Sequence, residues 1–117
     1  MIVGIGIDVV DMDRIKNGIY THILNDCESV YCNNRKEKIA GHIAVKEATL
    51  KALGHGLELS IGWLSVEVIH SDLGQPNILL HGKAKELAGS LTVSSSFVSI
   101  SHDANIATAI VILERKG

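Results

Sequence analysis

The sequence predicts an α+β fold in which a mostly antiparallel sheet packs against one long helix and shorter helices. Three observations predict it. Ile2 to Val10 alternates at the two-residue period of a strand. The stretch from Asn33 to a glycine turn at Gly54 and Gly56 carries the longest helical pattern. The second half of the chain then supplies two strand pairs, each joined by a tight turn, with one short helix between them. Strands and helices that segregate in this way build an α+β layer rather than a parallel βαβ sheet.

Taken in order, the first strand places Val3, Ile5, Ile7 and Val9 on one face, which is expected to be the core face. The other face carries Ile2, Gly4, Gly6, Asp8 and Val10. Two glycines before an aspartate clear that side for another backbone or a ligand, with Asp8 at the strand's end. Gly4-x-Gly6 is not a dinucleotide fingerprint, because Val9 stands where the third glycine belongs. Asp11 or Asp13 caps a short helix from Arg14 towards Asn17 and Gly18. Tyr20 to Tyr31 is a weaker helical segment. Asn34 and Glu37 have capping-box spacing at the start of the main helix, and Arg35, Lys36 and Lys38 in its first turn oppose the helix dipole.

Within that helix Ile39, Ala40, Ile43, Ala44 and Leu50 form one apolar face, with Glu47 in its middle and Lys51 one turn on. Trp63 to His70 is a strand with Leu64, Val66 and Val68 on one face. Ser71 to Pro76 turns the chain into a strand over Asn77 to His81, giving a hairpin. Gly82 to Ser90 has the composition of a short helix. Thr92 to Ser101 and Ile106 to Leu113 form the last hairpin, across His102-Asp103-Ala104-Asn105, and a polar tail follows.

Composition narrows the function. At 117 residues, one domain spanning residues 1–117 with one core is expected. Hydrophobic residues make up 46% of the chain but aromatic residues only 3%, so the core is aliphatic and base stacking on single-stranded nucleic acid is disfavoured. A net charge of −2 gives no general attraction for polyanions, so an anionic ligand needs a local basic patch. No signal peptide precedes Ile2, and no apolar run approaches the ~20 residues of a membrane span. A cytoplasmic protein with reduced thiols at Cys27 and Cys32 follows. A zinc site at His22, Cys27 and Cys32 lacks a fourth ligand.

Chemistry points to the residues that sit oddly on apolar or cleared faces. A carboxylate at Glu47 in an apolar face must be compensated. The candidates are a cation, a distant basic partner, or a plain i,i+4 pair with Lys51. Asp8 and Glu47, without a cysteine or histidine ligand motif, suit a hard cation such as magnesium, which is held by one or two carboxylates plus substrate phosphates. Lys46, Lys51 and His102 would supply positive charge for those phosphates. Ser101-His102-Asp103 is not a triad, because adjacent residues point in different directions. His102 reads either as a phosphate contact or proton carrier, or as a satisfied turn histidine.

Gly4-Ile-Gly-Ile-Asp8, the Asp11–Arg14–Ile15 continuation, Lys46-Glu47-Ala48 with Lys51-Ala-Leu-Gly54, Gly74-x-Pro76 and Val98-Ser-Ile-Ser-His102 occur in order along nearly the whole chain. Together they resemble the small holo-acyl-carrier-protein synthases, a class of phosphopantetheinyl transferases. The resemblance implies transfer of the phosphopantetheine arm of coenzyme A to a serine of an acyl carrier protein, releasing adenosine 3′,5′-bisphosphate. It implies that Asp8 and Glu47 hold Mg2+ against the pyrophosphate. Lys46, Lys51, Gly54, Gly56 and His102 would bind coenzyme A, and Arg14 would face the carrier protein. Glu47, or a water it orients, would be the base, with Lys51 beside it. It also implies a homotrimer with sites at subunit interfaces.

The chain departs from the family pattern at His42 and Ile43, where an arginine and an aromatic are usual, at His22, and at Gln75 in the Gly-Lys-Pro turn. These departures remove positive charge from places expected to meet coenzyme A or its partner. They leave room for an alternative: a non-catalytic homologue that binds a carrier protein or coenzyme A.

Overall fold

The structure is a computed structural model, which describes residues 1–16, 20, 22–54 and 61–117. Strand β1 (Ile2–Asp11) leads through a 3-10 turn (Met12–Arg14) to helix α1 (Asp26–Cys32) and the long helix α2 (Lys36–Ala52). A second 3-10 turn (Trp63–Ser65) opens the hairpin β2 (Val66–His70) and β3 (Pro76–Leu80). Helix α3 (Gly82–Ser90) precedes the second hairpin, β4 (Ser95–Asp103) and β5 (Ile106–Glu114). The main sheet has the order β1-β5-β4 and is antiparallel throughout; β2 and β3 form a separate antiparallel pair. The α+β architecture is the one predicted.

The faces of β1 are reversed from the expectation. Ile5, Ile7 and Val9 are 57%, 57% and 54% exposed, while Gly6, Asp8 and Val10 point inward. The reason is helix α2, which lies directly on β1. A Cβ on Gly6 would stand 1.7 Å from the carbonyl oxygen of Ala48, and one on Gly4 would stand 1.9 Å from that of Ala52. Only a glycine-paved face admits a helix backbone that close, so the apolar side chains are turned out. Asp8 lies within the strand rather than at its end.

Behind this contact, Ala107, Ala109, Val111 and Leu113 of β5 meet Ala44, Ala48 and Ala52 of α2 in an aliphatic core. Helix α2 is buried on nearly all sides, because α1 and β2 cover what the sheet does not. Its burial pattern is therefore not a single stripe, and Glu47 lies half-buried beside Ile43 rather than in the middle of a core face. The N-cap of helix α2 is Arg35, which makes no side-chain cap hydrogen bond, so Asn34 and Glu37 do not form the expected capping box. That motif belongs to α1, where Asn25 and Glu28 bond reciprocally. The region before α1 shortens the predicted Tyr20–Tyr31 helix to seven residues. The 3-10 turn at Trp63 leaves Leu64 outside the strand and exposed. Cys27 is exposed and Cys32 buried, both as free thiols.

Candidate functional site

The glycine paving of β1 carries Asp8 to the flank of α2. Asp8 is buried, and its Oδ1 accepts a hydrogen bond from Lys51 Nζ at 3.0 Å. Lys51 Nζ also donates to the Ile7 carbonyl at 3.1 Å, so the lysine is tied to β1. The second oxygen, Oδ2, is buried with no partner. Glu47 stands next to this pair. Burial, then the adjacent Asp8 carboxylate, push its carboxyl up to about 7, while Lys51 and Arg14 pull the other way. A buried and a half-buried carboxyl with one orphaned oxygen form an anionic pocket short of positive charge. That arrangement fits a hard divalent cation. Among the described residues no three His, Cys, Asp or Glu side chains converge on one point.

Asp8, Glu47, Lys51 and Arg14 are thus brought together as a group. Arg14 and Glu47 share a cavity of about 210 Å³ with Ile15, Ile43 and Trp63. Ile43 stands where the family's aromatic was expected, and Trp63 supplies an aromatic wall from another element. Trp63 was not singled out by the sequence; a lone tryptophan after a glycine turn was the available signal. Gly54 follows α2 with φ of +87°, a left-handed conformation that favours glycine, and is exposed. Gly56 lies outside the described residues, as do His55 and Glu58.

Lys46 is a correction. It is 0% exposed, and its Nζ donates to Glu28 Oε1, the Trp63 carbonyl and the Val66 carbonyl. All three protons of the ammonium are used within the fold, so Lys46 does not reach a ligand. His102 lies at the other end of α2, exposed, with Nε2 at 2.8 Å from the Glu37 carbonyl. His42 does not stand in for a surface arginine. It is buried, with Nδ1 3.4 Å from Glu28 Oε2, and its ring stacks with Tyr31 and His70. Burial, with His42 and Lys38 nearby, lowers the pKa of His70. Gln75 is exposed beside His70 and Pro76 in a second cavity, of about 340 Å³, and His22 is exposed.

The family model of the 4′-phosphopantetheinyl transferase superfamily matches residues 4–111. The chain belongs to that superfamily. Among other phosphopantetheinyl transferases, the holo-[acyl-carrier-protein] synthase of Geobacter sulfurreducens is 42% identical across 98% of this chain and 99% of its own. That of Geobacter metallireducens is 39% identical with the same coverage. The crystal structure of Helicobacter pylori holo-[acyl-carrier-protein] synthase in complex with coenzyme A superposes with a TM-score of 0.83 at 33% identity, covering 94% of this chain and 99% of that one. The phosphopantetheinyl transferase described here is therefore an enzyme of the holo-acyl-carrier-protein synthase kind.

Proposed function

We propose that this chain, acting as one domain over residues 1–117, transfers phosphopantetheine from coenzyme A to a serine of an apo acyl carrier protein. Transfer is Mg2+-dependent and releases adenosine 3′,5′-bisphosphate. The observation that carries the reading is the orphaned Asp8 Oδ2 beside a Glu47 carboxyl held near neutrality. Asp8 and Glu47 would hold the cation. When bound, magnesium would neutralise charge on the pyrophosphate and stabilise charge developing on the leaving oxygens.

The chain's own groups do the rest. Lys51, anchored on Asp8, directs its charge to the phosphates, and the exposed glycine turn at Gly54 leaves the backbone open to them. Glu47, or a water it orients, takes the serine proton as the serine oxygen bonds to phosphorus. The phosphoanhydride bond breaks, and its electron pair leaves on adenosine 3′,5′-bisphosphate. Arg14 faces the acidic carrier protein, and the apolar walls of the adjacent cavity receive one of its side chains. By the resemblance, Gly56 and His102 would bind coenzyme A; Lys46 is excluded by its burial.

The outward face of β1 supports a homotrimer. Ile5, Ile7 and Val9 continue across the sheet into Ile110 and Phe97, an apolar surface that a second and third copy would cover. Such an assembly would place the sites at subunit interfaces, as the resemblance implies. No described helix is long and apolar enough to cross a membrane, and the reading places the enzyme in the cytoplasm with its carrier protein.

Intact-mass spectrometry of an apo acyl carrier protein incubated with the chain, coenzyme A and magnesium tests the reading. A mass gain of one phosphopantetheine, abolished by EDTA, is expected. No gain on any of several carrier proteins, with coenzyme A binding confirmed, would leave only the binding homologue.

A further inference from the structure

The side of α2 opposite the sheet carries a second charged cluster that the transfer reaction does not use. Glu28 is 1% exposed, and both of its oxygens are engaged. Oε1 accepts from Lys46 Nζ at 3.0 Å and from the Asn25 N–H at 3.0 Å. Oε2 accepts from the Val68 N–H at 2.9 Å and lies 3.4 Å from His42 Nδ1. Lys46 completes the knot through the carbonyls of Trp63, at 3.1 Å, and Val66. One ion pair therefore ties the start of α1, two turns of α2, the first strand of the small hairpin, and the residue whose indole walls the Glu47 cavity.

We propose that Glu28 and Lys46 are positioning residues for the transfer site. They fix the rotation of α2, and with it the aim of Glu47, and they set Trp63 against Glu47. The inference rests on the function proposed above. Two arguments support it. Lys46 and Glu47 are consecutive on one helix, so any roll of α2 that moved Lys46 off its three acceptors would swing Glu47 away from Asp8. Burying such a pair is also poor value as a stabiliser, since apolar residues of similar volume commonly hold a core as well or better. What the pair supplies is direction: the engaged oxygens of Glu28 and the three used protons of Lys46 admit one arrangement of α1, α2 and the Trp63 turn.

The test is the double variant Glu28→Gln with Lys46→Met, which keeps side-chain volume and leaves no buried charge unpaired. Lys46→Met alone strands a buried carboxylate, so it is expected to melt far lower and serves as the reference for damage. Trp63 is the only tryptophan in the chain, so its emission reports the cavity wall without any assay of turnover.

The folded double variant is expected to keep its KM for coenzyme A within about twofold and lose roughly tenfold or more in kcat, the signature of misaimed rather than missing groups. Its Trp63 emission is expected to shift to the red and become easier to quench with acrylamide. Wild-type kcat and wild-type emission in the folded double variant would overturn the inference. A double variant without a cooperative melt would overturn it too, marking the pair as a stability element. If the wild-type chain shows no transfer, the proposed function fails separately, and Trp63 emission alone then decides whether the pair positions the cavity wall.

Discussion

At the residue scale, a buried and a half-buried glutamate are shifted in opposite directions. Glu47 holds its proton up to about 7 in the folded chain, against 4.5 ordinarily. The folded state thus binds more protons than the unfolded one across that window, and the stability of the metal-free protein falls as pH rises from 4.5 through 7. Glu47→Gln is expected to flatten this slope, and added magnesium to oppose it, in melting curves recorded with and without EDTA. Glu28 is the reverse. Burial raises its pKa, but His42, the N–H groups of Val68 and Asn25, and Lys46 outweigh burial and hold it at about 2. Its contribution is complete above 4.5 and is lost as pH falls towards 2, so Glu28→Gln is expected to reduce the acid sensitivity of the melt. Asp8→Ala and Glu47→Ala are each expected to abolish transfer while the fold survives, checked by the mass assay beside circular dichroism. Asp8, Glu47 and Lys51 were legible because each sat oddly on an apolar or cleared face. Their meeting in space was carried by motif order, since spacing alone does not join position 8 to position 47. Glu28 was not legible as a buried group: in Asp-Cys-Glu-Ser it reads as a polar residue on a short helix. Its signal was the Asn25–Glu28 spacing, identical to the Asn34–Glu37 spacing assigned to the wrong helix.

At the element scale, the contact of β1 with α2 decides the geometry of the site. Gly6→Ala places a methyl on the Ala48 carbonyl, where backbone cannot yield as a side chain would. It is expected to destabilise the chain by about 1–3 kcal/mol or more in urea unfolding, and to weaken transfer by lifting Asp8 from α2. The β4–β5 turn offers the opposite experiment. Ala104 and Asn105 have φ of 49° and 66°, and left-handed backbone is unfavourable for alanine. Ala104→Gly is expected to stabilise by roughly 1 kcal/mol. The two hairpins and α3 were legible from turn residues and alternation. The faces of β1 were not, because an apolar row opposite a glycine row looks like a core row opposite an open one. Which row is buried depends on what packs there, and a helix backbone fits only the glycines.

At the scale of the whole molecule, the outward row of Ile5, Ile7 and Val9 departs from an ordinary monomer surface. In the proposed trimer it becomes an interior. Light scattering on the wild-type chain is expected to give three times the 12.6 kDa chain mass, and Ile7→Lys to give the monomer with loss of transfer. The aliphatic, aromatic-poor core was legible from composition, whereas the assembly followed only from resemblance, because outward isoleucines on a strand look like inward ones. In that trimer strand β1 would be gripped from both sides, by its own helix through glycine and by neighbouring copies through isoleucine. Asp8 sits between the two grips, so its setting depends on how much protein is in the tube. Diluting the enzyme below the dissociation constant of the trimer should lower activity per chain, and concentrating it should restore that activity, making abundance itself a control on how much carrier protein is primed.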